Sequence, residues 1–178
     1  MRKLRVLALM HDYMVPPKDT SGHDLATVSW KTEYDVLSTL ADLGHDVQQL
    51  GVKDELTGIR QAIAEGNPHI AFNLLEAFHE VGSFDQNLVA YLELLRMPYT
   101  GCNPRGLLLS RDKALSKKLL AYHRIPVPDF AVCRMGRSVR RPKRMGFPLI
   151  VKSLTQDASL GISQASVVHD DVKLVDRV

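Results

Sequence analysis

The chain has 178 residues, of which 45% are hydrophobic and 24% charged, and its formal net charge is +3. This composition suits a globular protein with a buried core and excludes collagen-like, disulfide-scaffold and wholly disordered chains. No apolar run approaches the roughly 18 residues that span a bilayer, and residues 1–10 lack the pattern of a signal peptide. Two cysteines are too few for a disulfide framework or a zinc site. We therefore expect a cytoplasmic protein with reduced thiols.

Residues 1–100 alternate between predicted strands and predicted helices. Short apolar or alternating runs predict strands at 6–10, 45–50, 69–75 and 97–101. Apolar residues at helical spacing predict helices at 29–43, 55–65 and 84–96. The first helix carries a stripe that we expect to pack in the core, formed by Trp30, Tyr34, Leu37 and Ala41. This alternation predicts an α/β fold with a parallel sheet.

Residues 101–178 have a different texture and form a second predicted domain. The predicted helices are 103–109 and a lysine-rich helix at 111–123, with a third helix starting after a capping Asp170. An extended, proline-containing segment at 125–132 precedes two strands at 147–152 and 162–168, which we expect to pair antiparallel. These few elements leave one face of the sheet uncovered. We therefore expect the chain to be the N-terminal portion of a longer protein.

The charge is distributed unevenly between the two predicted domains. Residues 1–100 carry a net charge of −6, whereas residues 101–178 carry +9. A basic second half favours an anionic partner such as phosphate groups or nucleic acid.

Two lysines of the second half are candidate phosphate ligands. Lys152 ends a buried strand and precedes a loop of small and polar residues, whose backbone N–H groups could cover phosphates. Lys113 lies near the start of the basic helix and could supply a second ammonium. The competing interpretation is a lysine at the end of a plain hairpin.

Several motifs occur in an order that resembles the D-alanine–D-alanine ligases of the ATP-grasp superfamily. These are the segments Pro98-Tyr99-Thr100-Gly101, Ser110-Arg111-Asp112-Lys113, Ile125-Pro126-Val127-Pro128, Phe147-Pro148-Leu149-Ile150-Val151-Lys152 and a serine-containing loop that ends at Gly161. The segments Phe72-Asn73-Leu74-Leu75-Glu76 and 85–94 also resemble the family. The similarity covers nearly the whole chain, and is strongest between Ile70 and Gly161.

The resemblance implies a pre-ATP-grasp α/β domain at 1–100, Rossmann-like, followed by an incomplete first lobe of the ATP-grasp domain at 101–178. It implies a ligase that phosphorylates a carboxylate with ATP and lets an amine attack the acyl phosphate. By position, Lys113 and Lys152 match lysines that contact nucleotide phosphates, and Ser159 and Gly161 match the covering loop.

The expected cofactors are ATP and Mg²⁺, with the metal ligands in a C-terminal lobe that this chain lacks. The expected substrate is an amino-acid or peptide-like carboxylate. A homodimer is compatible, and we expect neither a nucleic acid nor a membrane as partner.

Four departures separate the chain from the family pattern. Ala158 replaces the first of two adjacent serines, and Asp157 replaces the glycine before them. The glutamate-containing stretch after the first strand has no counterpart in residues 12–28, and the second lobe is absent. A non-catalytic nucleotide-binding or protein-interaction module is therefore the alternative function.

Two further features are weaker candidates for a site. His79 and Glu80 follow the third strand, where α/β crevices bind ligands, although a solvated loop is favoured. The six basic residues between Arg134 and Arg144 could bind RNA, but no aromatic residue is interleaved with them, so we favour a solvated connection. The histidines show no recognised metal-site spacing.

Overall fold

The structure, a computed structural model, describes residues 2–156 and 161–178. The chain divides into two compact units, Met1–Arg105 and Gly106–Val178, which we call the first and second unit. The expected α/β class is confirmed, and so is a parallel sheet in the N-terminal part.

The first unit alternates strands and helices as its sequence predicts. Its strands are β1 (Arg5–His11), β2 (Asp46–Val52) and β3 (Ile70–Asn73). Its helices are α1 (Lys31–Asp42), α2 (Thr57–Gly66) and α3 (Asp85–Leu94). The strands are parallel in the order β2-β1-β3. The fourth predicted strand is reduced to a single parallel bridge between Tyr99 and Ala71.

The core of the first unit is built on β1, whose residues Val6 to Met10 are all buried. Strand alternation divides these residues between the two faces of the sheet. Leu7 and Leu9 belong to one cluster with buried residues of α2 and α3, which are Ile59, Ala62, Leu88 and Leu92. Burial of each large apolar side chain contributes roughly 1.5–3 kcal/mol, so this cluster supplies much of the unit's stability.

Helix α1 differs from the prediction that its apolar stripe packs in the core. Trp30, Tyr34 and Leu37 are half-buried, and Ala41 is exposed. The buried side chain of α1 is instead that of Glu33. Two residues of the stripe contact each other, since the rings of Trp30 and Tyr34 meet edge to face with their centres 6.0 Å apart.

The second unit is less regular than predicted. Helix α4 (Pro104–Arg111) begins two residues before this unit, and the elements that follow it are α5 (Lys113–Tyr122), β4 (Leu149–Ile150), β5 (Val167–Val168) and α6 (Asp171–Arg177). The antiparallel pairing of β4 and β5 is confirmed, but both strands have only two residues. The extended segment at 125–132 forms no strand, and the lysine-rich helix begins two residues later than predicted, after Asp112.

The second unit has few buried residues to hold its strands. Among the residues described there, the buried ones are Ala114, Ser166, Val168 and Leu174. Ile150 and Val167 lie opposite each other across the β4–β5 pair and are 52% and 41% exposed. One face of the ribbon is therefore uncovered, as the small number of predicted elements suggests, and little packing extends the strands.

Helix α6 is capped at its start and bonded to Arg141, in the segment before β4. The Asp170 carboxylate accepts a 2.8 Å hydrogen bond from the backbone N–H of Lys173, which confirms the predicted cap. The Arg141 guanidinium donates to the Asp171 carboxylate at 2.9 Å, and this bond lowers the pKa of Asp171. No helix of the described residues is long and apolar enough to cross a membrane.

Candidate functional site

The start of α5 positions Lys113. The Asp112 carboxylate accepts hydrogen bonds from the backbone N–H groups of Ala114 and Leu115, at 2.9 and 2.8 Å. These bonds satisfy donors that a helix start leaves unpaired, so they define where α5 begins. Lys113, the first residue of the helix, is half-buried and turned toward the loop described next.

Lys113 is attached to the loop at 153–161 through both its backbone and its side chain. Its backbone N–H donates to the Leu154 carbonyl at 3.1 Å, and its ammonium donates to the Gln156 carbonyl at 2.6 Å. The Gln156 N–H in turn donates to the Ser153 hydroxyl at 3.2 Å, which forms a turn at the start of the loop. The structure thus brings the first candidate lysine to the loop that follows the second.

Lys152 precedes the same loop and is exposed. Val151, the residue before Lys152, extends the pairing of β4 with the segment around β5, because its backbone N–H donates to the Ser166 carbonyl at 2.8 Å. No ion pair of the Lys152 ammonium with another described residue is present. Its charge is therefore available to an anion at the loop.

The far end of the loop is held by an arginine that the sequence analysis missed. The Arg177 guanidinium donates to the Gly161 carbonyl and, at 3.1 and 2.8 Å, to the Ser166 hydroxyl. Ser166 is fully buried, and its hydroxyl also accepts from the Ser163 N–H at 3.1 Å. Gly161 has φ +72°, a left-handed conformation that favours glycine. No sequence signal links Arg177 to a residue 16 positions earlier.

These contacts define a candidate anion site around the loop. Lys113 is hydrogen-bonded to the start of the segment that follows Lys152, and Gly161 is the last residue of that segment. Ser159, the remaining candidate, lies outside the described residues, as do Asp157 and Ala158. Two ammonium groups at one segment can stabilise the charge of a polyphosphate.

The first unit has a second candidate region at the carboxyl ends of its strands. Strands β2 and β3 flank β1 on opposite sides, and such a switch point marks the ligand crevice of open α/β sheets. Beside it, the Asn73 N–H donates to the Thr100 hydroxyl at 3.0 Å. Neighbouring Tyr99 donates to Glu93 at 2.7 Å, and burial, aided by this bond, raises the pKa of Tyr99 to about 12.

His79 and Glu80 form the tip of a tight hairpin in this region. Both have positive φ, of 52° and 60°, and the backbones of Phe78 and Val81 pair across them. Side-chain-bearing residues adopt this turn at a cost in strain, because glycine and asparagine fit it better. The side chains of His79 and Glu80 are both exposed. The solvated loop that the sequence favours is therefore a hairpin with two solvent-facing side chains.

The segment after β1 crosses close over β2. A Cβ atom at Gly51 would lie 2.8 Å from Val15 Cγ2 and 2.9 Å from Asp12 Cα, so only glycine fits beneath this segment. The ring of His11 stacks on that of Tyr13 at 5.3 Å. The departure from the ligase pattern at 12–28 therefore begins as an ordered turn packed on the sheet.

The other features do not add a site. Among the described residues, no group of three or more His, Cys, Asp or Glu side chains could hold a metal ion. A cavity of about 310 Å³ is lined by Arg5, Asp46, Gln48 and neighbouring residues. It lies where β1 and β2 begin, away from the strand ends that bind ligands in such sheets.

Comparison with known proteins supports the resemblance to D-alanine–D-alanine ligases. The chain is 31% identical over 147 residues to D-alanine–D-alanine ligase of Syntrophotalea carbinolica, which covers 83% of this chain and 45% of that protein. It is 31% identical over 141 residues to the ligase of Xylella fastidiosa, covering 77% and 45%. The chain is a D-alanine–D-alanine ligase-like protein. No family model matches it.

The fold of this ligase-like chain agrees with solved structures. The ATP complex of D-alanine–D-alanine ligase from Bacillus anthracis superposes with a TM-score of 0.70 at 22% identity, over 97% of this chain and 53% of that one. The ligase-like chain spans about half the length of the relatives it matches. One relative, from Sinorhizobium fredii, is 30% identical over 148 residues and is an uncharacterized protein.

Proposed function

We propose that the chain is the N-terminal portion of an ATP-dependent carboxylate–amine ligase, in which Lys113 and Lys152 hold the nucleotide phosphates. The observation that carries the proposal is the 2.6 Å hydrogen bond from the Lys113 ammonium to the Gln156 carbonyl. It attaches a helix-borne cation to the segment after Lys152, so both candidate lysines adjoin the same segment. The similarity to D-alanine–D-alanine ligases supports the assignment of this site to ATP.

The proposed reaction has two steps. A carboxylate oxygen attacks the γ-phosphorus of ATP, the bond to the β,γ-bridging oxygen breaks, and ADP leaves from an acyl phosphate. An amine then attacks the acyl carbon, loses a proton and releases inorganic phosphate as the amide forms. Lysine ammonium groups would lower the cost of the charge that develops on the phosphoryl oxygens. Mg²⁺, when bound with ATP, neutralises further phosphate charge.

The division of labour between the units is part of the proposal. We assign residues 1–100 to a pre-ATP-grasp domain that contacts the amino-acid or peptide-like carboxylate substrate. We assign residues 101–178 to the first lobe of the ATP-grasp domain, with Ser159 and Gly161 in the loop over the phosphates. The metal ligands would be supplied by a further lobe, and the enzyme would work in the cytoplasm.

Nucleotide binding by the 178-residue chain tests the site directly. Titration calorimetry with magnesium–ATP should detect binding at millimolar nucleotide, and Lys152→Ala should weaken it about tenfold or more, as expected for a lost hydrogen bond to a charged group. Lys143→Ala removes an exposed lysine outside the site and should leave the affinity unchanged. Equal affinities for both variants would refute the assignment of Lys152.

A non-catalytic nucleotide-binding or interaction module is the second candidate. Asp157 and Ala158 favour it, because an anion and a methyl group stand where the family loop has glycine and serine. The two candidates are separated by a full-length form of the protein. Release of inorganic phosphate from ATP that depends on an amino acid supports the ligase, whereas nucleotide binding without turnover supports the module.

A further inference from the structure

The most basic stretch of the chain forms an exposed loop in the second unit. Residues 130–156 contain seven Arg or Lys and no Asp or Glu. Within them, residues 131–146, which we call the basic loop, have no helix or strand and no buried residue. Two hydrogen-bonded turns shape the loop, with Arg137 N–H to Arg134 O at 3.1 Å and Met145 N–H to Pro142 O at 2.9 Å.

The basic loop is anchored where it begins. The Lys117 ammonium lies 5.2 Å from the centre of the Phe130 ring, which directly precedes the loop. The Arg144 guanidinium faces the Asp129 carboxylate at 3.6 Å, which joins the two limbs of the loop. A cation over an aromatic ring and an exposed ion pair are each weak contacts, but together they hold the entry point.

Arg141 anchors the C-terminal part of the basic loop. Its guanidinium lies 4.6 Å from the centre of the Phe147 ring, donates to the Met145 carbonyl and pairs with Asp171 of α6 at 2.9 Å. Arg141 and Arg144 are thus engaged in structure. The remaining cations have no ion pair with a described residue and are exposed; they are Arg134, Arg137, Arg140 and Lys143.

The tip of the basic loop carries an apolar side chain. Met135 is 103% exposed, as open to solvent as in an extended peptide, and stands in the turn between Arg134 and Arg137. Gly136 allows that turn with φ +72°. Val132, on the approach to the tip, is 45% exposed. The basic loop therefore carries exposed apolar side chains together with four cations that have no ion pair with a described residue.

We propose that the basic loop docks on an anionic lipid bilayer, with Met135 entering the headgroup layer and the four unpaired cations facing lipid phosphates. An apolar tip among cations matches a surface that is anionic outside and apolar beneath. RNA fits less well, because residues 131–146 contain no aromatic side chain on which bases could stack. An acidic peptide would use the charges but gives Met135 no role.

This proposal differs from the sequence-based expectation of no membrane partner, because it uses the exposure of Met135, which only the structure gives. It is independent of the proposed nucleotide site, since none of the four cations is a candidate phosphate ligand. It concerns peripheral contact with a lipid surface, which needs no membrane-spanning helix.

Vesicle sedimentation with the 178-residue chain tests the proposal. The chain should bind vesicles of phosphatidylcholine mixed with phosphatidylserine, and should not bind vesicles of phosphatidylcholine alone. Each removed cation should lower binding roughly fivefold, so that the variant R134Q/R137Q/R140Q/K143Q loses more than about a hundredfold. Met135→Ser keeps every charge and should still weaken binding severalfold.

A matched variant separates the loop from overall charge. The substitutions K18Q, K53Q, R60Q and K118Q remove four exposed cations elsewhere and change the net charge equally, yet binding should stay within severalfold of the parent. Equal loss in both quadruple variants, or no preference for anionic vesicles, would overturn the proposal. Retention on an RNA homopolymer that ignores Met135→Ser, without vesicle binding, would assign the loop to nucleic acid instead.

Discussion

The Lys113 ammonium donates a 2.6 Å hydrogen bond to the main-chain carbonyl of Gln156, 43 residues further along the chain. The same lysine donates its backbone N–H to the Leu154 carbonyl at 3.1 Å. One residue at the start of α5 therefore fixes the first half of the loop that follows Lys152. Whatever ligand the loop binds, the geometry of its base depends on this helix.

Replacement of Lys113 should loosen the base of the loop. Lys113→Met keeps the aliphatic stem and removes the charged donor, which is worth about 1.5–3 kcal/mol at a hydrogen bond of this kind. We expect amide hydrogen exchange at Gln156 to accelerate by roughly tenfold or more. Lys118→Met, an exposed substitution on the same helix, is the control. Unchanged exchange in Lys113→Met would show that the ammonium does not hold the loop.

Arg177 should stabilise the second unit through Ser166. Arg177→Gln leaves the fully buried Ser166 hydroxyl without its two guanidinium donors and should cost about 1–3 kcal/mol. Protection of the Val151 amide, which donates to the Ser166 carbonyl, reports on this unit by hydrogen exchange. Lys173→Gln, exposed on the same helix, should not alter that protection. Equal protection in both variants would contradict the role of Arg177.

Two glycines of the first unit should respond to alanine in opposite directions. Gly51→Ala drives a methyl group against the backbone of Asp12, 2.9 Å away, and should destabilise the unit by about 1–3 kcal/mol. Gly58→Ala, within α2, meets nothing closer than Leu50 Cδ1 at 3.9 Å and should stabilise by about 0.5–1 kcal/mol. Urea unfolding followed by Trp30 fluorescence measures both. A stabilising Gly51→Ala would mean that residues 12–15 do not pack on β2.

His69 should make the first unit less stable in mild acid. Its Nδ1 accepts a 2.9 Å hydrogen bond from the Arg5 N–H, which requires an unprotonated nitrogen. Burial, and then the charges of Arg5 and Arg2, lower the pKa of His69 below 6.5. Because the folded-state pKa is the lower one, its contribution is present above pH 6.5 and is lost as the pH falls through the folded-state pKa.

Urea unfolding at a series of pH values between neutrality and pH 5 tests this linkage. Stability should fall across that range in the parent chain, and His69→Gln should remove that part of the fall. His23→Gln, an exposed histidine of the same unit, should keep it. If His69→Gln shows the parent's full pH dependence, the hydrogen bond from Arg5 does not carry the effect.

The first unit follows from its sequence because each element has its own local signal. A five-residue apolar run predicts β1, and Gly44 and Asn67, both with positive φ, end α1 and α2 within two residues of the expected points. The burial of α1 does not follow from periodicity. An apolar stripe shows which side of a helix faces inward, but the tertiary contacts decide how deeply it is buried.

The structure of the second unit is predicted less well by its sequence, because its strands depend on pairing partners that a local pattern does not reveal. The run 147–152 has strong strand character, yet only Leu149 and Ile150 form β4, since the short β5 is their sole described partner. The motif predicts a role for Lys113, and its bond to Gln156, 43 residues away, is a long-range contact with no local signal. Arg177 has neither a motif nor a spacing that could reveal its role.

The opposed pair Ile150 and Val167 has a practical consequence for every measurement on this chain. The two side chains form an exposed apolar pair on a two-stranded ribbon whose edges are unpaired in the described part of the chain, and a second molecule of the chain can bind there. We expect the apparent mass in solution to rise with protein concentration, and charged replacements at these two positions to suppress that rise. Titrations with nucleotide or lipid are therefore best recorded as a dilution series, so that self-association is separated from ligand uptake.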